Sequence, residues 1–309
     1  MASSPYKARA LDANAIGLMI LFCASWSVQQ VAAKLAMPEV PSMLQAAIRS
    51  AGGTLAVSLW MAWRAPDVFR ADGSLRLGLL AGLLFAAEFF LLFLGLQYTT
   101  ASHAVLFLYT SPFFVALGVH LFVPNERLRP LQWAGLVMSF AGVGLALGVS
   151  GFTSRQQFIG DLLSLGAGAL WGSLTVIIRI TSLRLVSAPK LMLYQLSISA
   201  ALLGLAALIM GNRLPSGLSI VAWSSLAYQT FWVASVTFVG WMWLMSRYRA
   251  AELAAFGFMT PLLGVFAGWA IMGDEISHFF ALAVVMVAAG IVLVNRPPRP
   301  SGDDKPQAA

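Results

Sequence analysis

Ten apolar runs, each close to twenty residues and separated by short charged or Pro/Gly-containing breaks, leave this chain few ways to fold. They fall at roughly 15–34, 41–63, 77–97, 101–122, 130–149, 159–179, 188–210, 218–245, 250–272 and 278–295. About 20 apolar residues are needed for a helix to cross the hydrocarbon core of a bilayer. Within that core each segment must satisfy its own backbone polar groups. The reading is therefore an all-α membrane protein with ten transmembrane helices. Composition agrees: 59% of the 309 residues are hydrophobic and only 10% charged, against about 25% charged in a soluble domain. No stretch is left over for a sizeable soluble domain. A single cysteine, Cys23, excludes a disulfide framework and any thiolate-only metal site. No metal and no cofactor are expected.

Basic residues orient the bundle, because short cytoplasmic loops are enriched in Lys and Arg. With the N-terminus inside, 15 of the 19 fall in cytoplasmic segments and 3 (Lys34, Arg155, Arg213) in outer ones, while Arg49 lies within a span. A missed or extra helix would scramble this separation, so it supports the count as well as the orientation. The net charge of +7 then calls for no nucleic-acid partner, since the positive-inside bias and anionic lipid headgroups account for it. Residues 1–14 read as a cytoplasmic N-terminus preceding a retained first helix, and 296–309, Pro-rich and polar, as a disordered cytoplasmic tail. The expected location is a bacterial inner membrane.

An internal repeat divides what lies between. ASHAVLFLYTSP (101–112) aligns with AAELAAFGFMTP (250–261), matching Pro112 to Pro261, and fourteen residues beyond each proline comes an acidic residue, Glu126 and Glu275. A similar offset places Trp26 over Trp171 and, eight residues on, Lys34 over Arg179. Two five-helix halves follow, 15–150 and 151–295. Because five is odd, the second half enters the membrane in the opposite sense. Inverted repeats of this kind are typical of secondary transporters, whose substrate site lies at the midplane between the halves.

With its ten helices in two halves, its paired Trp-to-basic spacing (Trp26/Lys34, Trp171/Arg179) and a P…E element in each half, the chain resembles the EamA-type branch of the drug/metabolite transporter (DMT) superfamily over about residues 11–295. The resemblance implies export of small metabolites, with amino acids, aromatic ones included, a frequent substrate class. One departure is visible: Ser27 follows the first tryptophan where Gly172 follows the second.

Several residues are candidates for the site. Glu88 lies near the middle of its span, where a carboxylate costs about 2.5–3.5 kcal/mol. Arg49 of the preceding span lies at a similar depth. Two readings stand: a buried structural Arg49–Glu88 ion pair between neighbouring helices, or a cavity-facing Glu88 that binds a substrate ammonium or takes up a proton. Trp60, Trp63, Trp133, Trp223, Trp241, Trp243 and Trp269 fall near span ends and read as interfacial anchors. Trp26, Trp171 and Trp232 fall mid-span, where each indole N–H needs a partner. They read either as core packing or, as a group, as the wall of a wet aromatic cavity. Tyr228, Trp232 and Ser235 share a helix face, and Gln30, Tyr109, Tyr228 and Gln229 add uncharged polar groups. Pro112 and Pro261 break the backbone bonding to Leu108 and Gly257. They read as hinges or as static kinks. Gly135, Gly142, Gly268 and Gly290 read as close-packing positions.

These features together point to a secondary transporter exporting small organic metabolites, amino acids first, by alternating access around a midplane cavity. Two alternatives stand beside it. One is an intramembrane serine-type enzyme, suggested by the short Gly148-Val149-Ser150-Gly151 pattern; the other is a passive facilitator on the same fold. The expected partners are the lipid bilayer, a small-molecule substrate and a proton as coupling candidate.

Overall fold

The computed structural model describes residues 9–64, 71–95, 97–99, 101–123, 126–147, 154–214, 216–272 and 279–296. All the regular structure among them is helical. The first half comprises α1 (Ala13–Ala36), α2 (Ser42–Arg64), α3 (Leu75–Gly95), a divided fourth passage made of α4 (Ala101–Leu108) and α5 (Ser111–Phe122), and α6 (Pro130–Leu147). The second half repeats the plan with α7 (Arg155–Ile180), α8 (Ala188–Ile209), an eighth passage, a divided ninth and α13 (Phe280–Asn295). The eighth runs as α9 (Ile220–Ala227), a π-helical segment over Tyr228–Thr237 and α10 (Phe238–Met245). The ninth is α11 (Ala250–Phe256) followed by α12 (Met259–Met272).

Packing follows the inverted repeat. The first helix of each half lies on the divided helix of the other, α1 on α12 and α7 on α4 and α5. The third passage α3 packs on α7 and α8, and its counterpart, α9 with the π segment, packs on α1 and α2. The pairs α2–α8 and α6–α13 each join equivalent helices. Small residues make these approaches possible: a Cβ on Gly135 of α6 would stand 2.7 Å from the Gly290 carbonyl oxygen, and one on Gly290 would stand 2.5 Å from that of Gly135. Large apolar side chains such as Leu59, Ile209 and Val285 cover the outer surface, as lipid contact requires.

Each divided helix breaks just before its proline. Pro112 stands in the first turn of α5 and Pro261 is the third residue of α12, where the missing N–H is tolerated. The prolines thus begin new helices and do not merely kink continuous ones. Short-range bonds close the gaps, Thr110 N–H to Phe107 O at 3.2 Å and Phe258 N–H to Ala255 O at 3.3 Å. The breaks are served alike by the opposite half. Gly168 of α7 lies against the Phe107 and Leu108 carbonyls, where a Cβ would come within 2.9 and 2.7 Å. At the equivalent place Cys23 of α1 donates its thiol hydrogen to the Phe256 carbonyl at 3.3 Å.

The helix ends are tied by polar contacts. Ser219 caps α9 by accepting the Ala222 N–H at 3.1 Å. Its own hydroxyl and amide donate to Glu39 at 2.6 and 2.7 Å, which holds the Glu39 carboxyl below its ordinary range. At the other end of the bundle Tyr248 donates to Asp12 at 2.6 Å, and Lys190 pairs with Asp72 at 2.8 Å.

Candidate functional site

A cavity opens between the two halves, lined by side chains from α1, α2, α3, α7, α8, α10, the end of α4 and the break after it. Its walls are mostly aromatic. Trp26 presents its ring edge-on to Trp241 (centroids 5.8 Å apart, 77° between planes) and to Phe238 (6.2 Å, 68°). Its indole N–H is satisfied by the Thr237 hydroxyl at 2.9 Å, which in turn donates to the Val233 carbonyl. Trp171 meets Tyr109 edge-on at 5.6 Å and 81°. Phe85 stands at 4.9 Å from Phe89 and 6.0 Å from Phe238. Such pairs add about 0.5–1.5 kcal/mol each beyond area burial.

Polar groups are set into this wall. Arg49 is 1% exposed and stacks over the Phe89 ring with 4.2 Å between guanidinium carbon and ring centroid. Glu88 lines the same cavity and is 6% exposed. No salt bridge within 4.0 Å joins them among the described residues, so the expected direct ion pair is not formed. The backbones of α2 and α3 both pack on α8 and hardly on each other, yet the Arg49 side chain reaches across to rest on Phe89, the residue after Glu88. Matching depth brings both side chains to one cavity but not into a direct pair. The Arg49 position is fixed through its neighbour, since the Ser50 and Ser199 hydroxyls lie 3.1 Å apart across α2 and α8. Gln195 of α8 brings a third polar head, its amide NH₂ facing the Met242 sulfur at 3.8 Å.

The cavity thus gathers Trp26, Arg49, Glu88, Tyr109 and Trp171 of the expected residues, and adds Gln29, Gln195, Phe238 and Trp241. It does not gather Tyr228 and Trp232. Trp232 is 37% exposed, and its N–H goes to the Ser25 hydroxyl at 2.9 Å. Tyr228 donates to the Ser25 carbonyl at 3.0 Å, so both stitch the π segment to the side of α1. The expected shared face was counted at α-helical spacing, but here the backbone bonds run i→i+5, as from Phe238 N–H to Val233 O. Tyr228 and Trp232 still share a face, but it meets α1 at Ser25 and not the cavity. Gln229 is consumed by a bond to Gln45 at 3.0 Å. Trp241, expected as an anchor, is 5% exposed and faces inward. Trp60, Trp63, Trp223, Trp243 and Trp269 are exposed on the outer surface, and Trp133 is half-buried, edge-on to His120 at 6.1 Å. The side chains of Gln30 and Lys34, together with Glu275 and the pattern at Gly148–Gly151, lie outside the described residues.

Sequence reasoning missed Gln195 and Trp241. A glutamine near the middle of the seventh run was a usable signal, since polar groups inside a membrane face the bundle interior. Nothing in the sequence gave the inward turn of Trp241.

A helical bundle of two inverted halves around a part-polar, aromatic-walled cavity is the architecture of a membrane transporter. The profile of the EamA-like transporter family matches residues 13–148 and 158–296, and the chain belongs to that family, within the DMT superfamily. Similar proteins include an uncharacterized transporter of Archaeoglobus fulgidus, 25% identical over 286 residues (90% of this chain and 96% of that one). A probable amino-acid metabolite efflux pump of Salmonella typhimurium is 25% identical over 308 residues (92% and 98%). A riboflavin transporter of Rhizobium johnstonii is 27% identical over 209 residues (65% and 64%). A protein of known crystal structure shares the fold, with a TM-score of 0.78 at 22% identity over 92% of this chain and 96% of that one.

Proposed function

We propose that the protein is a secondary transporter exporting small organic metabolites, amino acids foremost, by alternating access around the central cavity. The observation that carries the reading is the cavity itself, an aromatic-walled space between two inverted halves into which Arg49, Glu88 and Gln195 bring buried polar atoms lacking internal partners. A folded protein leaves such groups unsatisfied only at a cost, and a transient solute removes it. The relative named an amino-acid metabolite efflux pump supports the substrate class, and the one named a riboflavin transporter marks how widely cargo varies at this level of similarity. In this reading Pro112 and Pro261 mark the hinges, Trp26, Glu88, Tyr109 and Trp171 contact the solute, and each five-helix half rocks against the other. The distribution of Lys and Arg supports cytoplasmic termini in a bacterial inner membrane.

The deciding experiment is counterflow in proteoliposomes, with labelled amino acids, then nucleosides and flavins, outside and unlabelled solute inside. Transient accumulation of label above equilibrium identifies a carrier and names its cargo. Simple equilibration would mean a passive facilitator. Orientation is checked at the same time: Arg184→Cys should be shielded from an impermeant reagent added to intact cells, whereas Arg213→Cys should react.

A further inference from the structure

The cavity wall holds a cationic and an acidic group that make no direct salt bridge with one another. The Nε and Nη2 donors of Arg49 meet no acceptor, and Oε2 of Glu88 meets no donor, although both side chains are more than nine-tenths buried. The guanidinium face is occupied by Phe89 at 4.2 Å and, further off, by Phe238 at 5.6 Å. Stacking of this kind fixes the plane of the fork and leaves its edge free. A rigid, planar edge of N–H donors matches the two oxygens of a carboxylate. Arg49 and Glu88 line the same cavity without a direct bond, Arg49 resting on Phe89, the residue next to Glu88.

We propose that these two side chains form a zwitterion site, Arg49 receiving the α-carboxylate of an amino acid and Glu88 its α-ammonium, while Trp171 and Phe238 bound the space for an apolar side chain. The assignment rests on the transporter reading and deepens it. A solute with both charges satisfies both walls at once; a solute with one leaves the other group stranded in an apolar surround. Sites built to hydrogen-bond a group reject analogues that lack it far more strongly than hydrophobic pockets reject a change of size. Selectivity here therefore comes from the charged ends, and the aromatic wall tolerates variation in the side chain.

The test uses the full-length purified protein and three probes of nearly one shape: phenylalanine, phenethylamine without the carboxylate, and 3-phenylpropionate without the ammonium. Binding is read by quenching of tryptophan fluorescence. Phenylalanine should bind at least about tenfold tighter than either analogue, the scale of one charged hydrogen bond. Arg49→Gln should bring phenylalanine down to the level of phenethylamine without weakening phenethylamine, and Glu88→Gln should do the mirror image with 3-phenylpropionate. Equal wild-type binding of all three probes, binding of none, or an Arg49→Gln variant that weakens phenethylamine as much as phenylalanine would each overturn the assignment. The wild-type comparison decides even if Arg49→Gln folds poorly. Counterflow of another solute in the same protein would then leave the transporter reading standing, and its absence for every solute would remove that too.

Discussion

Arg179, in the last turn of α7, donates its Nε hydrogen to the Glu126 carboxylate at 2.7 Å, and its Nη2 reaches the same oxygen. The pair crosses the repeat boundary, since Glu126 precedes α6 in the first half and Arg179 belongs to the second. It also gathers a junction: Nη1 donates to the Met245 carbonyl at 3.2 Å, and the other carboxylate oxygen accepts the Ala250 N–H at 3.3 Å. The two side chains are only 4% and 6% exposed. One end of the bundle is thereby latched through the turn between the eighth and ninth passages.

Breaking a buried pair by removing one partner typically costs about 3–5 kcal/mol. Glu126→Gln should accordingly lower the thermal midpoint by several degrees in detergent. The charge-swapped double variant Glu126→Arg/Arg179→Glu should recover part of that loss. An unchanged midpoint for Glu126→Gln would show that the latch contributes nothing.

Gly168 tests the packing of α7 on the broken helix. Its added Cβ would meet the Leu108 carbonyl oxygen at 2.7 Å, a backbone atom that has no rotamer by which to yield. Gly168→Ala should destabilise by about 1–3 kcal/mol, the scale of overpacking. Gly204 of α8 has nothing within 4 Å of the same position, so Gly204→Ala should be neutral or stabilising by about 0.5–1 kcal/mol. Thermal unfolding of the two variants in one detergent gives the contrast, and equal midpoints would refute it.

What could be read along the chain was depth; what could not was azimuth. Apolar run length located the helices to within a few residues, and the prolines located both interruptions, because each is a local property of backbone and solvent. Which way a side chain faces depends on the neighbours. Arg49 and Glu88 have matching depths and line one cavity without a direct pair, a relationship with no local signal. Depth alone assigns Trp241 to the interface and Trp232 to the mid-span cavity, but the fold turns Trp241 inward and Trp232 to the flank of α1, a choice of face that depth does not set. The polar cavity residues were recognisable as polar residues in apolar runs, but their convergence on one cavity came only from the fold.

Acid should loosen one tie outside the spans. Asp72 accepts from Lys190, from the Ser74 hydroxyl and from the Ser74 amide, and these bonds hold its carboxyl below the ordinary value of 3.8. A depressed folded-state pKa means that the contribution is present above the unfolded value and lost as pH falls through the folded one. Asp72→Asn should thus lower the thermal midpoint at pH 7, with an undiminished gap to wild type down to about pH 5. The gap should narrow as the medium falls below the ordinary Asp range. A gap that widened on acidification would contradict the sign.

The tryptophans give the sharpest test of the cavity, because two indoles in it can be set against one that is not. Trp171 and Trp241 line the cavity and are expected to contact solute, whereas Trp232 is tied to Ser25 on the flank of α1. Truncating Trp171 or Trp241 to alanine removes a wall that apolar cargo touches, and a buried aromatic truncation also costs about 3–5 kcal/mol, so transport must be normalised to folded protein. Per folded molecule, each variant should lose about tenfold or more in apparent affinity for bulky apolar solutes and less for small ones. Trp232→Ala breaks a bond between α1 and the π segment and should lower stability with cargo preference unchanged. If Trp232→Ala alters the order of solute preference while Trp171→Ala and Trp241→Ala leave it intact, solute passes along the flank of α1 and the central cavity is packing.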